Sequence, residues 1–576
     1  MPDADQLVEL AATLNLRLSP KEAELYLPVI LDAMRQLDTF VQSRADESAP
    51  PLLYPERGPG YRPSLTEDRY QAWLWKCAIG GGGSGLLAGK TVSYKDHISV
   101  AGIPQVFTSQ AMEGFVPDVD ATVVTRVLAA GGKVTGKHMM NGFMGDYGKP
   151  VNPHNPDRIT GGSSSGSGAA LAAGEVDVSF GGDQGGSIRL PAAYCGVVGL
   201  KPTFGLVSHF AVGFAFEPST DHVGPMARTV PDVAAALQAV AGYDDNDPRQ
   251  RRDIPESIDA LSDLDGGVRG LRIGILEEGF AEPIEPAVAE GVLAAVATLE
   301  KLGAEVTRIS VPQHAQMDAA YAALVFEGAR AIHDVGFFGI GAKTYYPASV
   351  ITAVDRMFRH HGDMMQPRTK LNHLIAELSR RNYHGGVYAK AHNVRPSYVA
   401  AFDRALAKVD VLALPTVRTI APLVEELPAD PMAAIDANPA PQLDPDADGV
   451  QHQADELHRP SGARRAVRQG GRDADQPAVG GEFSGRSAAA AGGLCLPARR
   501  GLGCTDRDRL SHPAAAAAGT AAAAASLSTR FSPAPGCKSR RRVTPMARQA
   551  ERGARLAVSQ ISDGGWSGFR DRWLAV

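Results

Sequence analysis

Apolar residues recur at three- and four-residue spacing over 5–14 and again over 20–41, the stripe expected of amphipathic helices. Ser19-Pro20 gives the second run a capping residue and a first-turn proline. The stretch 48–63 loses this period and is rich in Pro, Gly and Tyr, so it reads as a linker. Beyond it, residues 89–94 alternate like a strand, 121–130 carry a helical stripe, and 133–137 form a short strand behind that helix. The apolar runs 271–276, 304–309 and 410–416 have the length of buried strands, with a helix predicted over 286–302. Strands alternating with helices predict an α/β fold, a sheet with helices on its faces. Three segments follow: a helical one over 1–75, an α/β domain over 76–436, and a tail over 437–576.

Composition narrows the function classes. The 576 residues are 44% hydrophobic, enough for a large core. A net charge of −6 argues against a basic nucleic-acid surface. The five cysteines are odd in number and fit no zinc spacing, which argues against a disulfide framework or a structural metal. The start, MPDADQLVEL, lacks a basic region followed by an apolar stretch, and no run of 18 apolar residues occurs. A cytoplasmic protein without a membrane partner is the expectation.

The chemistry concentrates in a Gly/Ser block. It reads GGSSSGSG over 161–168, GGDQGGSIRLPAA over 181–193 and GVVGLKP over 196–202. Alone, each run could be a flexible loop or a phosphate cradle. A phosphate-binding Walker loop needs Gly-Lys-Ser/Thr at its end, and a dinucleotide fingerprint needs Gly-x-Gly-x-x-Gly after the first strand; neither is present. Consecutive glycines before a serine let the backbone approach a carbonyl and aim several N–H groups at one point. Such an oxyanion hole is worth roughly 3–4 kcal/mol per donor in the transition state. The serine also needs a base to take its proton. No histidine lies in this part of the block.

This block closely resembles the amidase signature pattern, and the resemblance runs from about residue 76 to 436. It implies an amidase signature fold: a mixed central β-sheet covered by helices on both faces, with an N-terminal helical extension and an irregular C-terminal part. It also implies a Ser–cis-Ser–Lys triad, with Ser187 as nucleophile, Ser163 as bridging serine and Lys95, in VSYKD, as base. The oxyanion donors would be the N–H groups of Gln184, Gly185, Gly186 and Ser187. Ser164, Asp183 and Arg189 would support the loop, the last two through hydrogen bonds or an ion pair. Asp221-His222 reads as structural, and Cys195 as a small buried residue. No metal or organic cofactor is implied. The substrate would be a small-molecule amide, and the assembly a homodimer. A lysine acts as base only when neutral, and burial lowers its pKa.

Two departures stand out. Ser165 replaces the usual glycine after the two serines; if that position needs a positive φ, the loop is strained. Gln184 stands where many members have Thr or Ile. The run DQGGS is similar to that of bacterial amidases working beside nitrile hydratases, often enantioselective, which also carry a helical N-terminal extension.

The tail is different in kind. Residues 451–576 hold nineteen Arg and one Lys, no Tyr, and Ile561 as the only Ile, with five-alanine runs at 514–518 and 521–525. Little in it can build a strand or an amphipathic helix. It reads either as a disordered tail or as GC-rich DNA translated out of frame. With suitable codons, ADELHRPS over 454–461 and RDADQPAVGGE over 472–482 slip by one base, in the same sense, to PMNFTGHP and GMPISLQLVG. Both strings resemble the family's closing segment. Three functions therefore compete: an amidase releasing ammonia from a carboxylic acid amide; an amidotransferase subunit releasing ammonia from glutamine in a tRNA-dependent complex; and an inactive, C-terminally frameshifted amidase.

Overall fold

The computed structural model describes residues 2–43, 47–141, 147–213, 217–335, 341–424 and 573–575. The chain opens on two helices, α1 (Ala4–Thr13) and α2 (Pro20–Val41). Ser19 caps α2 reciprocally: its Oγ accepts from the Glu22 N–H, and the Glu22 carboxylate accepts from the Ser19 N–H at 2.9 Å. The apolar stripe that predicts α2 is mostly not buried, with Leu25, Val29 and Phe40 standing 65–72% exposed.

Six strands form a first sheet: β1 (Trp73–Gly80), β2 (Thr91–Lys95), β3 (Lys133–His138), β4 (Val178–Asp183), β5 (Val198–Gly199) and β6 (His222–Ala227). Their order is β1-β3-β2-β4-β6-β5. The centre, β3-β2-β4, is parallel and the outer pairs are antiparallel, so the sheet is mixed. Side chains alternate between its faces. Val92, Tyr94, Val178 and Phe180 pack with Val123 and Val127 of α3 (Thr122–Ala129) and Val233 and Leu237 of α6 (Val230–Val240). The opposite face carries α4 (Ser165–Ala172) and α5 (Arg189–Cys195), where Ala169, Leu171, Ile188 and Ala192 pack with Trp73 and Met226. Burial of a residue such as Leu171 contributes about 1.5–3 kcal/mol.

A second, four-stranded sheet runs β10-β9-β7-β8, all parallel, from β7 (Arg272–Leu276), β8 (Glu305–Ile309), β9 (Val411–Leu414) and β10 (Trp573–Ala575). Its crossover helix α7 (Pro286–Lys301) covers one face through Val296 and Leu299. The other face packs on α8 (Asp318–His333) and α11 (Gly386–Leu406) through Tyr321, Leu324, Phe402 and Leu406. Between these helices run α9 (Ala348–His361) and α10 (Pro367–Tyr383).

The α/β class and the strands expected over 89–94, 133–137, 271–276, 304–309 and 410–416 are borne out, each within a few residues. β1 is not foreseen by the alternation, and it crosses residues 75–76, where the first segment was expected to end. The readings of the tail fall outside the described residues, with one exception. Trp573–Ala575 form a strand beside β9, where composition predicted none.

Candidate active site

The end of β2 delivers Lys95 into the interior, where its side chain is wholly buried. Its Nζ donates to Ser163 Oγ at 2.7 Å and to the Gly182 carbonyl at 3.4 Å. Ser163 follows a cis peptide bond from Gly162, just before α4 begins. Its carbonyl accepts from the Asn141 N–H at 3.0 Å. Ser164 Oγ donates to the same Gly182 carbonyl at 3.3 Å, and its N–H donates to the Ser187 carbonyl at 3.2 Å. Ser187 lies in the turn between β4 and α5 and is 2% exposed. The two Gly/Ser runs, distant in sequence, are thus joined backbone to backbone, with the buried lysine beside them.

Asp183, the last residue of β4, shapes the turn. Its carboxylate accepts from the N–H groups of Gly186 (2.7 Å), Ile188 (3.0 Å) and Arg189 (3.4 Å), and pairs with the Arg189 guanidinium at 2.8 and 3.0 Å. Gly186 has φ +111, a conformation that an L side chain rarely adopts, so glycine is required there. This geometry corrects one expectation. The Gly186 N–H is engaged by Asp183 and is not presented to an oxyanion. Among the described residues, no hydrogen bond engages the N–H groups of Gln184, Gly185 or Ser187.

The expected strain at Ser165 is also absent. Ser165 is the first residue of α4 and has no positive φ. The glycine that matters is the next one: a Cβ on Gly166 would run into the Ala72 carbonyl oxygen.

Burial pushes Lys95 down from its ordinary value to about 8, against the opposing pull of the Asp221 and Asp183 carboxylates. Roughly a tenth of it is then neutral at pH 7, a usable population of base. Asp96, the neighbour of Lys95, is also buried. It pairs with Lys137 at 3.3 Å and accepts from the N–H groups of Val106 and Thr108. Lys137 in turn donates to the Ile98 carbonyl at 2.6 Å. His97 is buried as well, and desolvation together with Lys95 holds its imidazole well below the usual range.

Three contacts had no sequence signal. Gln184 Nε2 donates to Asp221 Oδ1. The Gln184 carbonyl accepts from Tyr321 OH at 2.7 Å. Asp221 Oδ2 stands 3.2 Å from His209 Nε2. These partners come from separate elements, and no local spacing links them. His222 is held by main-chain oxygens, with Nδ1 2.7 Å from the Thr220 carbonyl. Cys195 is buried, and burial pushes its thiol up to about 12. Together the site joins an amine of lowered proton affinity, a hydroxyl bonded to it, a second serine in the adjoining turn, and unengaged N–H groups beside that serine. A base, a serine nucleophile and free N–H donors are parts that acyl transfer through a serine uses.

Comparison with known proteins agrees with this chemistry. A family model described as Amidase matches residues 70–451. The chain is 39% identical over 359 residues to a glutamyl-tRNA(Gln) amidotransferase subunit of Synechococcus sp. (strain RCC307), covering 61% of this chain and 73% of that protein. It is 38% identical over 365 residues to an enantioselective amidase of Rhodococcus rhodochrous, covering 62% and 70%. The crystal structure of the corresponding glutamyl-tRNA(Gln) amidotransferase subunit from Thermotoga maritima matches with a TM-score of 0.50 at 29% identity, over 64% of this chain and 74% of that one.

Proposed function

The chain belongs to the amidase signature family, and from that premise we propose that it is a free-standing amidase that hydrolyses a small carboxylic acid amide to carboxylate and ammonia. The observation that carries the reading is the 2.7 Å hydrogen bond between the wholly buried Lys95 and Ser163. Neutral Lys95 takes the proton of Ser163 as Ser163 takes that of Ser187. Ser187 Oγ attacks the amide carbon, and the N–H groups of Gln184, Gly185 and Ser187 receive the oxyanion. The proton on Lys95 returns through Ser163 to the leaving nitrogen, and ammonia departs. Water then attacks the acyl-enzyme with the same base, releasing the acid. No metal or organic cofactor takes part. A cytoplasmic homodimer is the proposed setting; no helix of the described residues is long and apolar enough to cross a membrane.

A second reading, a subunit that releases ammonia from glutamine for a tRNA-bound partner, draws on the similarity to the Synechococcus protein. Gln184 and the helical extension weigh against it. Ammonia release over a panel of aliphatic and aromatic primary amides, with glutamine included, separates the two. The free-standing amidase turns over simple amides without a partner. Glutamine turnover alone, dependent on a partner, would select the second reading. Ser187→Ala should abolish the activity; an unchanged rate would sink both readings. An inactive, frameshifted product is ruled out by any Ser187-dependent turnover.

A further inference from the structure

We propose that Asp221 is a positioning residue for acyl transfer: through the Gln184 side chain, with His209 behind it, it fixes the loop that receives the oxyanion. The inference rests on the amidase reading above.

Gln184 heads the oxyanion loop and is held at both ends. Its side-chain amide donates to Asp221 Oδ1, and its carbonyl accepts from Tyr321 OH at 2.7 Å. Asp221 is itself immobilised. Its Oδ2 stands 3.2 Å from His209 Nε2, and its carbonyl accepts from Arg249 Nη1 at 3.1 Å. The same guanidinium donates to the Pro218 carbonyl at 3.1 Å and pairs with Asp247. Asp247 Oδ2 accepts from the His209 N–H at 2.8 Å, which closes the frame. Gln184, His209 and Asp221 are all buried. A buried network of this kind narrows the geometries open to the loop, although Gln184 Oε1 has no hydrogen-bond partner among the described residues.

The charges around Lys95 single out Asp221. Two carboxylates act on the lysine, Asp221 and Asp183. His97 lies on its own loop, and Lys137 on β3. Asp183 is compensated by the Arg189 guanidinium and by three N–H groups. The partners of the Asp221 carboxylate are the neutral amide of Gln184 and the His209 imidazole, which burial and Arg249 keep toward its neutral form. Asp221 is therefore the less compensated of the two. When Lys95 takes a proton during acylation, the charge that develops lies in the field of Asp221, which stabilises it. Loss of that charge should slow the step and also lower the proton affinity of Lys95.

An alkyl fluorophosphonate tests this without knowledge of the natural amide. Ser187 Oγ forms a bond to phosphorus, the P–F bond breaks, fluoride leaves, and the serine proton passes through Ser163 to Lys95 and then to water. The second-order labelling rate is measured against pH by intact mass. Asp221→Asn keeps the volume and the acceptor for Gln184 Nε2 while removing the charge. Its plateau should fall roughly tenfold and its acid limb should move to lower pH. A limb superimposable on that of the parent protein overturns the inference. Gln184→Met removes the link and leaves the charge. Its plateau should fall roughly tenfold with the limb unmoved, and an unaltered plateau overturns the inference even if Asp221→Asn does not fold. If the parent protein is not labelled at Ser187, the amidase reading itself fails, a result distinct from either of these.

Discussion

α2 and the Gly/Ser block treat burial in opposite ways. α2 runs 22 residues with a regular apolar stripe, yet only Ala23 is buried. The turns around Ser164 and Ser187 are built from Ser, Asp, Gln and Gly, and Ser164, Asp183, Gln184 and Ser187 are all buried. Burying polar groups costs free energy unless every donor and acceptor finds a partner. The block satisfies many of these groups with the Asp183 carboxylate, the Gly182 carbonyl and backbone links, while among the described residues the N–H groups of Gln184, Gly185 and Ser187 stay unengaged. Periodicity therefore reports which element forms, whereas buried polarity reports where the chemistry lies.

The sharpest break of this contrast is at Lys95. Lys95→Met should remove at least about a thousandfold of the hydrolysis rate, because it removes the amine hydrogen-bonded to Ser163. The same change should raise the melting temperature at pH 7 by roughly 2–5 °C, since a buried ammonium is replaced by an apolar side chain. The sign follows from linkage. The folded-state pKa of about 8 lies below the ordinary 10.5, so the unfolded chain binds the proton more tightly. The stability deficit of the parent protein is therefore full below pH 8 and fades as pH rises from 8 to 10.5. Thermal melts at both ends of that window check it; a deficit that does not fade contradicts the burial argument. In the parent protein, kcat/KM should climb with pH through a midpoint near 8.

Smaller effects separate the two regions by stability alone. Leu171→Ala, inside α4, should cost about 2–5 kcal/mol in denaturant melts. Leu25→Ser or Val29→Ser, on the exposed face of α2, should change stability by no more than about 0.5 kcal/mol. A large loss at Leu25 would mean that the stripe is covered in solution. Smallest is Ser165→Gly. As the first residue of a helix, Ser165 gains nothing from glycine, and a loss of about 0.3 kcal/mol is expected. A gain in stability would restore the idea of strain.

Much of this was legible in the sequence. The run 20–41 carries its own start signal in Ser19, Pro20 and Glu22, and α2 matches it at both ends. The motif residues Lys95, Ser163 and Ser187 converge because they end β2, lead into α4 and occupy the turn between β4 and α5, and β2 and β4 lie side by side at the centre of the first sheet. β1 escaped because its burial is uneven along its length, with no clean alternation. β4 is buried at every position, so period two disappears from its sequence. The pairing of Gln184 with Asp221, and the reach of Tyr321 from α8 to the Gln184 carbonyl, are tertiary contacts that no local pattern encodes. The engagement of the Gly186 N–H by Asp183 likewise depends on how the turn closes.

The central claim is that Ser187 carries the acyl group, activated through Ser163 by Lys95. Its most direct test is rapid quench of the protein turning over an aromatic primary amide, followed by peptide mapping. The expected result is an acyl adduct on Ser187 that is absent from Ser187→Ala and Lys95→Met. An adduct on another residue, or ammonia release at the parent rate by Ser187→Ala, would contradict it.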